Sequence, residues 1–195
     1  SAFLAPVLAG GRSDTRLPLF SYFALLNVFV LGVSWFKAWR SLNIAGFVLT
    51  LLIGMAWGVD HYRHSHYLVT QVFVVLFVAA YSAMPVATAL LRVPGLAAWH
   101  EGILLFGVPL AGVGLQRALV GNLEYGLAWS AFVGALWYFM LGGLLRRRKA
   151  PANAILEMAY LGIAGVLLTI SVPLAFGARL TSALWAVEGC AVLWL

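Results

Sequence analysis

The sequence predicts an all-α protein, a polytopic transmembrane helix bundle of six complete spans with partial helices at both ends. Three observations carry this. The chain is 64% hydrophobic and 9% charged, whereas soluble domains are ~45–50% apolar and ~25% charged. The stretch 153–176, NAILEMAYLGIAGVLLTISVPLAF, holds one acid, Glu157, and follows the basic run Arg146 to Lys149. That length exceeds the ~20 apolar residues a helix needs to cross ~30 Å of hydrocarbon. The alternation of apolar span and short polar turn then recurs along all 195 residues. In lipid, only helices and closed barrels satisfy their own backbone groups, and apolar runs this long read as helices. A free soluble monomer is excluded.

Taken in order, residues 1–9 read as the last turns of a helix, ended by Gly10 and Gly11. The polar stretch GGRSDTR precedes a span over 17–36, which Lys37 and Arg40 close. A second span covers 42–59 and runs into DHYRHSHY, the most polar loop. The third, 68–91, contains Pro85 and ends at RVPG, where proline and glycine mark a turn. The fourth, 100–120, contains Pro109 and ends at GNLEYG; the fifth covers 125–145. The sixth is 153–176, with Pro173 near its end, and GARLTS leads into a final helix cut at Leu195. The opening SAFLAPVLAGG has no basic n-region of a signal peptide. Both ends read as interrupted helices, so 1–195 is expected to be a single transmembrane region within a longer multi-pass chain.

The formal charge is +6, from 12 Lys and Arg against 6 Asp and Glu. These charges sit in short loops, so they speak for orientation and anionic headgroups rather than nucleic acid. Lys37, Arg40, Arg92 and the run 146–149 fall on one side. Arg12, Arg16, Arg63 and Arg179, diluted by Asp14, Asp60 and Glu124, fall on the other. The positive-inside rule places the first set in the cytoplasm and loop 60–67 in the periplasm. Trp35, Trp39, Trp57, Tyr62, Tyr67, Trp99, Tyr125 and Trp185 lie near span ends, as aromatic belts do. The expected partners are membrane lipids and the rest of the longer chain or other membrane subunits, with no nucleic acid. The lone cysteine, Cys190, allows no internal disulfide.

A weak repeat is visible. APVLAGGRS begins at Ala5, VPLAGVGLQ at Val108 and VPLAFGARL at Val172, each expected towards the outer end of an outward helix. Trp-bearing return segments follow two of them, from Leu127 and Ala183. Parallel copies of a helix hairpin occur in transporter folds, though not only there.

Few groups invite chemistry. Glu188 lies inside the last span, where an acid costs roughly 2.5–3.5 kcal/mol by insertion scales and must face protein or water. It is a candidate proton or ligand site with Arg117, Gln116 and Arg179. The alternatives are a structural ion pair for Glu188 and headgroup snorkelling for Arg117. His61, His64 and His66 supply metal-ligand types, but their spacing matches no strong zinc pattern and His66 leaves the helical face of the other two. Glu157 and Glu101 suit the first turns of their helices, where acids complement the dipole. Asn27 and Gln71 are expected to hydrogen-bond between helices, and Gly54 with Gly58 offers a weak close-approach motif. No P-loop, nucleophile elbow, HExxH or CxxC pair is present. No cofactor is implied.

The segments APVLAGG (5–11), LFSYFALLNVFVLGVSWFKAWRSLNIAGFVLT (19–50), FGVPLAGVGLQRALV (106–120) and ALWAVEGCAVLWL (183–195) carry a family resemblance. Over nearly the whole chain, in order, the sequence resembles the bacterial multi-pass membrane family called domain of unknown function 2339. That resemblance implies a long inner-membrane protein with many helices, and it implies no activity or catalytic residue. The reading that follows is an integral inner-membrane protein, a scaffold or transport-type module of the cell envelope. The contrasting reading is a membrane enzyme acting on lipid-linked groups through Glu188 and the histidine loop.

Overall fold

Each helix begins and ends where the hydropathy changes, because a segment in lipid must close its own hydrogen bonds. The computed structural model of the chain describes residues 40–61, 67–91, 98–148 and 153–176, with positions 25, 32, 185–187, 189–190 and 194. The long segments form α1 (Arg40–His61), α2 (Tyr67–Leu91), α3 (Ala98–Val120), α4 (Gly126–Arg147) and α5 (Ala154–Ala175). Among the described residues there is no strand. Four helices are long and apolar enough to cross a membrane: Tyr67–Leu90, Gly102–Val120, Gly126–Arg147 and Ala154–Ala175. Six complete spans is therefore more than the described residues carry. In α1 the apolar stretch is the shorter Asn43–Ala56. The span expected over 17–36 lies outside the described residues except for helical Leu25 and Gly32, and both terminal partial helices fall largely outside as well.

The α4–α5 hairpin is the most closely packed pair. Its basis is a seam on α4 of Ala128, Ala131, Ala135, Tyr138, Gly142 and Leu145, all buried. Those positions alternate three and four apart, the spacing of left-handed helix packing. Four of the six are Ala or Gly, and small residues let transmembrane backbones approach. The facing residues on α5 are Leu156, Tyr160, Ile163, Ala164 and Leu167. Gly142 marks the tightest point, where an added Cβ would lie 2.9 Å from Leu161 Cδ2. The second close approach is Gly112 of α3, 3.1 Å by the same measure from Val78 Cγ2 of α2. Gly54 meets nothing within 4 Å, nor does Gly58, so the expected close-approach motif on α1 is not where the described helices meet. A smaller core joins α1, α2 and α3 through Phe47, Tyr81, Leu104 and Val108. Phe47 stacks on Phe77 at 5.6 Å between ring centroids.

The turn between α3 and α4 is tightly specified. A Cβ on Gly121 would lie 2.5 Å from the Arg117 carbonyl oxygen, and one on Gly126 would lie 2.9 Å from that of Val120. Between them Tyr125 takes a left-handed conformation, φ 60, which disfavours an L side chain by ~1–2 kcal/mol. Its 50% exposed ring sits at the helix start. Tyr125→Gly is expected to raise stability by about 1 kcal/mol, read as a higher unfolding midpoint in detergent. An unchanged or lowered midpoint would mean that the ring anchors the turn more strongly than the backbone resists it.

The prolines sit at different depths. Of the three repeated segments, the one at Ala5 lies outside the described residues; Val108–Gln116 lies in the second half of α3, whereas Val172 begins the last turn of α5. These two segments thus do not occupy equivalent levels: Pro109 lies mid-helix, and of the two only the copy at Val172 stands at a helix end. Pro173 has no N–H for the Thr169 carbonyl one turn back. The Trp185 indole Nε1 donates to that carbonyl at 3.5 Å, a long contact.

Candidate functional site

Among the described residues, two polar constellations join helices across the apolar interior. The deeper is centred on Ser82 of α2, which is 2% exposed. Its hydroxyl donates to the Val78 carbonyl at 2.6 Å, as membrane serines do when they back-bond to their own helix. The same oxygen accepts the indole N–H of Trp137 from α4 at 2.8 Å. The phenol of Tyr160 on α5 donates to the Ser82 carbonyl at 2.5 Å. One residue therefore ties three helices, close to Pro85. Tyr138 stacks on Tyr160 with centroids 5.5 Å apart, and its own buried hydroxyl is turned to Ser82 without a well-aligned hydrogen bond.

The second constellation stands nearer the α3–α4 turn. Gln71 Nε2 of α2 donates to Gln116 Oε1 of α3 at 3.2 Å, the interhelical bond expected of Gln71. Ser130 of α4 satisfies itself on the Gly126 carbonyl at 2.8 Å and reaches Gln116 Oε1 at 3.4 Å. Gln71 Oε1 is buried without a partner.

Between these two constellations lies a cavity of about 410 Å³, within the ~300–1,000 Å³ range of small-molecule sites. Gln71 to Ala79 of α2, Pro109 to Gln116 of α3, Leu127 to Tyr138 of α4 and Leu167 to Leu174 of α5 contribute its walls. Along α4 that is ~16 Å at 1.5 Å per residue. Among the described residues the walls are apolar apart from Gln71, Gln116, Ser130 and the polar atoms of Trp129, Trp137 and Tyr138, and no charged residue lines them. Val75, Trp129, Val133 and Ile170 line the cavity and are themselves exposed, and all four lie within helices long and apolar enough to cross a membrane.

Of the residues singled out from sequence, Gln116 belongs to this site. Arg117 follows it in the last turn of α3, exposed and outside the lining. Glu188 and Arg179 lie outside the described residues, as do His64 and His66; His61 is the last residue of α1. Among the described residues no group of three His, Cys, Asp or Glu comes together to hold a metal. At the opposite end of the hairpin, Arg146 Nε lies 3.9 Å from Glu157 Oε1. Each charge also opposes its helix dipole, which suits Glu157 in a first turn as expected. Ser82, Trp137 and Tyr138 were not legible as site residues. Their only signal is polarity inside apolar spans, which names no partner.

No curated protein and no solved structure matches the chain. Residues 1–195 match a family described as predicted membrane protein. The apolar helices agree with that description, and the chain belongs to the DUF2339 family of predicted membrane proteins.

Proposed function

We propose that this chain is a transport-type membrane module whose helix bundle takes up the apolar part of a lipid-like ligand. The observation that carries the reading is the cavity between α2, α3, α4 and α5, whose described walls are uncharged and belong to helices apolar enough to cross a membrane. A scaffold needs only packed seams such as α4–α5, and a cavity of this size weakens packing for no structural gain. No observation favours the enzyme reading, whose residues in loop 60–67 and at Glu188 fall mostly outside the described part. The module belongs in this reading to a bacterial inner membrane, with the Arg146–Arg148 end cytoplasmic and the cavity in the periplasmic half.

Tryptophan quenching tests it. The full chain is reconstituted in vesicles of phospholipid brominated along its acyl chains. The emission of Trp137, taken as the difference between wild type and Trp137→Phe, is expected to be quenched as strongly as that of surface-exposed Trp129. Gly134→Leu fills the cavity from a position where a Cβ is tolerated, 3.5 Å from Leu167 Cδ1, and is expected to protect Trp137. Unquenched Trp137 in the wild type would leave the scaffold reading in its place.

A further inference from the structure

We infer that the cavity selects uncharged lipids that carry a hydroxyl or amide, and that the Gln71–Gln116 pair reads that group. The inference rests on the lipid-binding reading above and deepens it.

The lining decides the class. Among the described residues it contains no charged side chain, so an ionised headgroup drawn inside would lose its water and gain no counter-ion from them. Arg117, the nearest cation along α3, is exposed and lies outside the lining. A purely hydrocarbon ligand would leave the polar end of the site unanswered. Gln71 Oε1 is buried and lacks a partner, although Gln71 Nε2 is engaged with Gln116 Oε1 at 3.2 Å. Turning both amides over exchanges oxygen for nitrogen throughout. The Gln71 amide then presents an unmatched N–H in place of an unmatched oxygen, so one polar atom still waits for a partner. A hydroxyl or a primary amide is both donor and acceptor and meets either arrangement. At the other end the Tyr138 hydroxyl lines the cavity and is turned to Ser82, so it makes no demand on a ligand. An elongated apolar molecule with a neutral polar group at one end matches both the apolar walls and the orphaned atom of Gln71.

The geometry also sets the direction of binding. Gln71 and Gln116 stand at the end of the cavity nearer the α3–α4 turn, with Val75, Val133 and Ile170 further along it. The polar group therefore lies towards the membrane face and the chain towards the bilayer midplane, the orientation a lipid already has before it enters.

The test uses three probes of equal chain length, each with a diazirine near the chain end: a fatty alcohol, a fatty primary amide and an alkyl phosphate. The full chain is irradiated with each in vesicles, and adducts are mapped by mass spectrometry. The alcohol and the amide are expected to label the segments around Val75 and Val133, and the phosphate to label them roughly tenfold less. In Gln71→Leu/Gln116→Leu the preference for alcohol and amide is expected to fall by about threefold or more, the scale of one membrane hydrogen bond. Gly134→Leu should lose labelling by every probe. Equal labelling by all three probes, lost in Gly134→Leu, would overturn the selectivity and leave the cavity reading standing. Labelling led by the phosphate would assign the site to anionic lipids through Arg117 and overturn it too. No cavity labelling by any probe would remove the lipid-binding reading itself.

Discussion

Replacing Tyr160 by alanine is expected to cost about 3 kcal/mol of bundle stability, the largest loss from any single truncation among the described side chains. The ring is fully buried, lies in the core shared by α2, α3, α4 and α5, and stacks on Tyr138 at 5.5 Å. Lipid chains are as apolar as the core, so transfer to lipid contributes little here. The loss comes from the hole left behind and the forfeited contacts, which are large for an aromatic ring. The hydrogen bond is the smaller share. Tyr160→Phe removes only the donor to the Ser82 carbonyl and is expected to cost ~0.6 kcal/mol, with a ceiling near 1.7. Equilibrium unfolding in mixed micelles measures both variants. A Tyr160→Phe loss equal to that of Tyr160→Ala would show that the polar knot, not packing, holds the helices.

Gly142→Val is expected to be nearly as damaging, whereas Gly143→Val is expected to be mild. The two glycines are neighbours on α4 and share the same helix propensity. They differ in what a side chain would meet. At 142 a Cβ would fall 2.9 Å from Leu161 Cδ2 and 3.1 Å from its Cγ; at 143 it would meet nothing within 4 Å. Leu161 can turn its methyl aside for alanine, but valine adds two more carbons against the same seam. Overpacking of this kind costs roughly 1–3 kcal/mol. Gly143→Ala is expected to stabilise by about 0.5–1 kcal/mol through the helix backbone alone. The comparison is made on reconstituted protein by unfolding midpoint and by cysteine crosslinking across α4 and α5. Equal effects at 142 and 143 would place the close approach elsewhere.

The sequence by itself determined class and membrane setting. Helix limits at Gly126, Ala154 and Ala175 fall within a residue or two of where apolar runs meet Gly, Asn or Pro. The reason is local: a helix in lipid satisfies its backbone within itself, so length and apolarity suffice to define it. Even Gln71 announced an interhelical bond, because an amide inside an apolar span needs some partner. What the sequence could not say was which partner. These helices are apolar nearly all round, so no stripe of polarity fixes their rotation or pairing. Gly54 and Gly58 advertised a close approach, and the structure puts it at Gly142 and Gly112. Likewise Glu188 and the histidines drew attention as the rarest groups by type, yet they lie almost wholly outside the described residues. The cavity takes its walls from four helices spread over residues 71–174. Only tertiary packing brings Gln71, Gln116 and Ser130 to one end of it and Tyr138 to the other, because a void is a property of how surfaces fail to meet and no single segment encodes it.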